Sequence, residues 1–139
     1  MDSQQTYVDV LFPFSAETDG VMVRVSVSYL ADQSEPDKGR WFWAYHIRIE
    51  NNREEVVQLL TRSWRITDGR GALHLVEGEG VIGEQPVIMP GKGYDYVSGC
   101  PLATPTGTMA GFYVMAGEDG ELFEAMIPQF PLVTPMVAQ

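Results

Sequence analysis

The chain has 139 residues, of which 45% are hydrophobic and 20% charged, ordinary values for one globular domain with a real core. Lys and Arg number 9 against 19 Asp and Glu, a net charge of −10 that repels phosphate backbones and anionic lipid and argues against nucleic-acid or membrane partners. Cys100 is the only cysteine, which excludes an internal disulfide and a cysteine-based zinc site and suits a reducing cytoplasm.

Met1 to Phe14 lacks the basic and apolar segments of a signal peptide, and no apolar run approaches the roughly 20 residues that span a bilayer. Val21, Val23, Val25, Val27 and Tyr29 alternate with Arg24, Ser26 and Ser28, as in a half-buried strand. Asp32 to Gly39 is polar, carries Pro36 and Gly39, and reads as a hairpin loop. Trp41, Trp43, Tyr45, Ile47 and Ile49 then share one face of a candidate central strand.

Arg53 to Arg62 admits two readings. Val56, Leu59 and Leu60 have helical spacing, with Asn51 or Asn52 as a cap. The continuation into Ser63-Trp64-Arg65-Ile66-Thr67 favours strand, turn, strand, with Asp68-Gly69-Arg70-Gly71 turning into Ala72–Val76. Glu77 to Pro86 reads as a glycine-rich loop and Pro90 to Gly93 as a turn. Tyr94–Ser98 is expected to be a short strand and Pro101–Gly107 a loop. Thr108–Ala116 alternates again, and Glu118-Asp119-Gly120 turns the chain into Glu121–Ile127. Pro128, Pro131 and Pro135 punctuate a tail whose last residues, 136–139, are expected to fray. Pro90 to Tyr96 resembles the corner before strand F of immunoglobulin-like domains, where a tyrosine hydroxyl bonds back to the backbone; a plain turn followed by two core tyrosines fits equally well. The count of about seven to nine short antiparallel strands predicts an all-β sandwich or barrel, as a single domain over 1–139 with its core from about residue 7 to 135.

The residues offer little chemistry. Gly78, Gly80 and Gly83 have the spacing of a dinucleotide fingerprint, which needs a helix N-terminus to hold the pyrophosphate. Here Pro86 and Val87-Ile88-Met89 follow, and Glu77, Glu79 and Glu84 surround the glycines. A backbone crossing or bulge is the structural reading. Glu77 and Glu79 alone do not make a cation site, since a solvated acidic loop explains them. His46 and His74 are read as hydrogen-bonded histidines on sheet faces rather than metal ligands. Cys100 is read as a half-buried thiol, and no nucleophile elbow occurs. Neither a catalytic residue, a metal ligand nor a cofactor is assigned.

Trp41 to Asn51, Val57-Gln58-Leu59 with Trp64 to Asp68, and Gly78 to Pro86 resemble successive motifs of the ApaG family. Pro90-Gly91, Tyr96 to Gly99, Pro105-x-Gly107-x-Met109-x-Gly111 and Ile127-Pro128-x-Phe130 complete the likeness, from about Val21 to Pro135. The resemblance implies a fibronectin type III-like sandwich in a bacterial cytosolic protein, linked genetically to magnesium efflux and cobalt resistance. Related domains are modules of eukaryotic F-box proteins and of a DNA-polymerase-interacting protein, where they look like protein-binding parts. The family's glycine motif has been likened to pyrophosphate-binding loops.

The leading expectation is a non-enzymatic module with a protein partner, using the glycine loop and the Pro101–Gly107 loop. The alternative is a binder of pyrophosphate or a nucleotide at Gly78, Gly80 and Gly83. A third is direct binding of magnesium or cobalt at the histidines. An exposed edge strand could also support a homodimer.

Overall fold

The computed structural model describes residues 11–135; the expected fraying of 136–139 lies outside them, as do the first ten residues. The described residues form nine strands: β1 (Phe14–Thr18), β2 (Val21–Tyr29), β3 (Trp41–Asn51), β4 (Val57–Asp68), β5 (Leu73–Glu79), β6 (Val87–Ile88), β7 (Gly93–Leu102), β8 (Thr106–Gly117) and β9 (Leu122–Val133). One antiparallel sheet has the order β1-β2-β3-β7; the other has β5-β4-β8-β9, with β6 also pairing β4. The expected all-β sandwich is present. No described helix is long and apolar enough to cross a membrane.

Alternation sends one face of each strand into a shared interior. Val21, Val23, Val25, Trp43, Ile47 and Ile49 from the first sheet meet Leu59, Trp64, Met109, Tyr113, Met115, Ile127 and Phe130 from the second. Phe130 is fully buried and its ring lies near those of Phe14, Tyr45 and Trp64, 6.1–6.2 Å between centroids. Two polar devices cross the interior. The Trp43 indole donates to the Val133 carbonyl at 2.8 Å, and the hydroxyls of Tyr96 on β7 and Tyr113 on β8 share a hydrogen bond of 2.5 Å. Asn51 is completely buried. It caps no helix; its amide group donates to the carbonyls of Glu55 and Ile88 and accepts from the Arg53 N–H.

The ambiguous Arg53–Arg62 segment resolves as strand from Val57 onward, because its apolar residues fill the core between β5 and β8. Four boundaries differ from expectation. A first strand, β1, precedes the valine strand through a turn with positive φ at Asp19 and Gly20. β5 runs to Glu79, so Glu77, Gly78 and Glu79 are strand rather than loop. β7 runs on through Pro101, opposite Phe42, which a sheet edge tolerates because Pro withholds only an outward donor. β9 likewise continues through Pro128 and Pro131 along the edge of the second sheet. The Tyr94 hydroxyl donates to Glu84 at 2.8 Å and that of Tyr96 meets Tyr113; these are side-chain partners, so the backbone-bonded corner is not formed.

Candidate functional site

The β7 edge of the first sheet and the β5 edge of the second stand apart, and a groove of about 980 Å³ lies between them. Trp41, Phe42 and Tyr45 of β3 and Ser98 to Leu102 of β7 line one wall. Arg62, Trp64 and Ile66 of β4 line the other, with His74 and Val76 of β5. Register explains that wall: Ile66 pairs with His74, Trp64 with Val76 and Arg62 with Gly78, so these side chains share one face. A second hollow of about 320 Å³ shares Tyr45, Arg62, Trp64 and Ser98 with the first and adds Val81, Ile82 and Gly83. The groove therefore runs on to the glycine-rich turn.

Arg62 organises that junction. Its guanidinium donates to the carbonyls of Glu79 at 3.1 Å and Gly80 at 2.9 Å. A Cβ on Gly78 would stand 2.8 Å from the same guanidinium, so the missing side chain is the room Arg62 occupies. Gly80 has φ +63°, and a Cβ there would meet the Glu84 carbonyl oxygen at 2.2 Å. Val81 and Glu84 exchange both backbone hydrogen bonds around Ile82 (φ +48°) and Gly83 (φ +76°), the geometry of a type I′ turn. Ile82 is an exposed β-branched residue in the left-handed region, a placement that strains the backbone by about 1–2 kcal/mol. The bulge at Leu60 anchors the loop from below: its carbonyl accepts from the Gly80 N–H and from the Gln85 amide.

Of the three sequence-assigned glycines, Gly83 lines the groove's extension, Gly80 touches it through its carbonyl on Arg62, and Gly78 packs under Arg62. The amides of Gly80, Val81 and Glu84 all donate within the protein, and Pro86 leads to strand β6 rather than a helix. The expected second contact loop contracts to residues 103–105, but Pro101, Leu102 and Ala103 do line the groove. Thr104 is buried there, accepting from the Gly69 N–H and donating to the Thr106 carbonyl.

The groove gathers basic and aromatic groups within an acidic chain. Lys38 and Arg40 line it, sharing Glu35 at 3.0 and 3.7 Å. Asp68 accepts from the backbone N–H groups of Ala72 and Arg70, which hold its carboxyl below the usual range, and its carboxylate stands 3.7 Å from the His74 ring. Burial pushes the Tyr45 hydroxyl up and pushes the Cys100 thiol up to about 11. That thiol faces the Pro101 carbonyl at 3.8 Å and is protonated at neutral pH, the opposite of an activated nucleophile.

The two histidines are not brought together. His46 sits on β3 bonded to Asp95 at 2.8 Å, with the Phe12 ring edge-on to it. Asp95 also accepts from Arg48, which bonds Glu50, which accepts from Arg24. This ladder of charges crosses β2, β3 and β7 on a face away from the groove. Among the described residues, no group of three or more His, Cys, Asp or Glu could hold a metal ion. Sequence reasoning missed Arg62, Trp64, Trp41 and His74 as one set. They come from three strands, and only the register brings them together.

The described residues form a two-sheet antiparallel β-sandwich with a groove, lined by polar and aromatic groups, between two of its edges. Its relatives make the class specific. The family model described as the ApaG domain matches residues 31–117, and the chain belongs to that family. "Protein ApaG" of Methylobacterium sp. (strain 4-46) is 53% identical over 124 residues, covering 89% of this chain and 95% of the relative. That of Brucella canis is 52% identical over 122 residues, covering 88% and 94%. The crystal structure of the putative ApaA protein from Bordetella pertussis superposes with a TM-score of 0.81 at 42% identity, covering 84% of this chain and 95% of that one.

Proposed function

We propose that the chain is a non-catalytic, cytoplasmic binding module that holds part of a protein partner in the groove between β7 and β5. The observation that carries this reading is the groove's lining. Trp41, Ile66 and Val76 offer accessible apolar area, while Lys38, Arg40 and His74 offer donors, the mixture typical of recognition surfaces. In this reading the family's link to magnesium and cobalt runs through the partner.

Affinity capture with mass spectrometry, comparing wild type with Trp41→Ala and Arg62→Glu, tests it. Specific partners lost in both variants support the groove; identical partner sets remove it. A second reading, a small anion such as pyrophosphate or a nucleotide at the glycine turn, is favoured by one observation: Arg62 and Gly83 line the same hollow. It predicts saturable shifts of Gly80, Gly83 and the Arg62 side chain on adding pyrophosphate, and a flat titration at millimolar ligand removes it.

A further inference from the structure

Among the described edge strands, β5 is the one longer than five residues that carries no proline. β1 is only five residues long, and its Thr18 hydroxyl accepts from the Met126 N–H of β9. β9 carries Pro128 and Pro131, and β7 carries Pro101. Short length, proline and cover are the usual guards against strand addition. β5 has seven residues, no proline, no lysine and no register shift against β4. It leaves Leu73, Leu75 and Val76 exposed at 48%, 62% and 40%. Among the described strands, only β4 pairs with it.

The phase of its hydrogen bonds follows from both ends of the ladder. The Asp68 N–H donates to Ala72 at 2.9 Å, and the Gly80 N–H donates to Leu60 at 2.8 Å. Bonded pairs alternate along an antiparallel ladder. With the observed register, the backbone groups of His74, Val76 and Gly78 therefore point to β4. Those of Leu73, Leu75 and Glu77 point outward, unmatched by any described strand. Side chains follow the same alternation: His74 and Val76 line the groove, while Leu73, Leu75, Glu77 and Glu79 occupy the outer face.

We infer that β5 is the docking edge of this module and takes an extended segment of a partner protein as an added strand. This rests on the groove reading and names its ligand. The added strand places every second side chain over the groove beside His74 and Val76. Its other side chains lie on the outer face, apolar beside Leu73 and Leu75 and basic beside Glu77 and Glu79. Charge selects this occupant over a second copy, because two chains of net charge −10 would bring their glutamates to one edge.

The test uses the full chain and the fluorescent peptide Lys-Val-Lys-Val-Leu-Val-Leu, with a control of the same sequence N-methylated at alternate amides. Binding is expected to protect the Leu73, Leu75 and Glu77 amides from hydrogen exchange while leaving those of His74 and Val76 as slow as before. Leu75→Pro removes an outward N–H and no bond to β4, and is expected to weaken the peptide at least tenfold; the N-methylated control loses as much. Should Leu75→Pro fail to fold, the wild-type protection pattern decides. Peptide shifts at the Trp41 and Trp64 indoles without protection of the three amides overturn the edge and leave the groove reading standing. Equal binding of the N-methylated peptide, or no response to either peptide at millimolar concentration, overturns the edge as well; partner capture with the groove variants judges the groove separately. Protection of the same amides in concentrated protein alone, with doubled mass in sedimentation, overturns it in favour of a second copy.

Discussion

The side of the sandwich where β9 lies against β1 and β2 and the side where β7 faces β5 are built from the same alternating pattern and end differently. On the first, Trp43 reaches the Val133 carbonyl, Thr18 accepts from Met126, and Phe130 sits among three aromatic rings. On the second, β5 follows β4 away from β7, and its leucines remain in solvent. Closure consumes edge backbone groups and apolar side chains together; where neither is consumed, both remain exposed.

The sharpest way to break this contrast is truncation on each side. Phe130→Ala is expected to cost about 3–5 kcal/mol in urea unfolding, whereas Leu75→Ala should stay within about 0.5 kcal/mol. Equal losses would mean that the groove side is packed after all. Next comes the turn at the groove's far end. Gly80→Ala drives a Cβ into the Glu84 carbonyl and should cost about 2–3 kcal/mol. Gly83→Ala meets open space and should cost about 1 kcal/mol, from its positive φ alone.

A double-mutant cycle probes the junction. Gly78→Ala should destabilise by about 1 kcal/mol, and in an Arg62→Ala background most of that loss should vanish, a coupling of about 0.5–1 kcal/mol. Additive losses would detach Gly78 from Arg62. The last test is alkaline. Burial raises the Cys100 thiol to about 11 from an ordinary value of about 8.5. Across that window the unfolded chain loses a proton that the folded chain keeps, so stability falls as pH rises and levels off once the folded thiol ionises. Tyr96 and Tyr113, also raised by burial, extend the fall above about pH 10. Cys100→Ala should flatten the first part of the curve in pH-dependent urea melts.

The strands legible in the sequence are those whose alternation is long and apolar. Trp41 to Ile49 has five large residues in register and is buried as the pattern requires. β1 offers only Phe14 and Ala16 on its inward side, so composition hides it, although Asp19-Gly20 marks its hairpin. Gly78 misleads for a non-local reason: flanked by glutamates it reads as loop, yet it is strand whose side chain gives way to a guanidinium sixteen positions earlier in the chain. The prolines of β9 mislead similarly, since only sheet order reveals that they occupy an outer strand. The groove has no local signature, because its members become neighbours only after β3, β4, β5 and β7 are paired.

The hydroxyl bridge between Tyr96 and Tyr113 has a mechanical consequence. Dispersion and water exclusion carry no direction, so the alignment of the two apolar layers rests on close packing alone. A directional bond in a dry interior adds resistance to shear between them, because breaking it strands two polar groups away from water. The bond thereby ties β7 to β8 across the sandwich, as a staple holds two sheets of paper in one alignment.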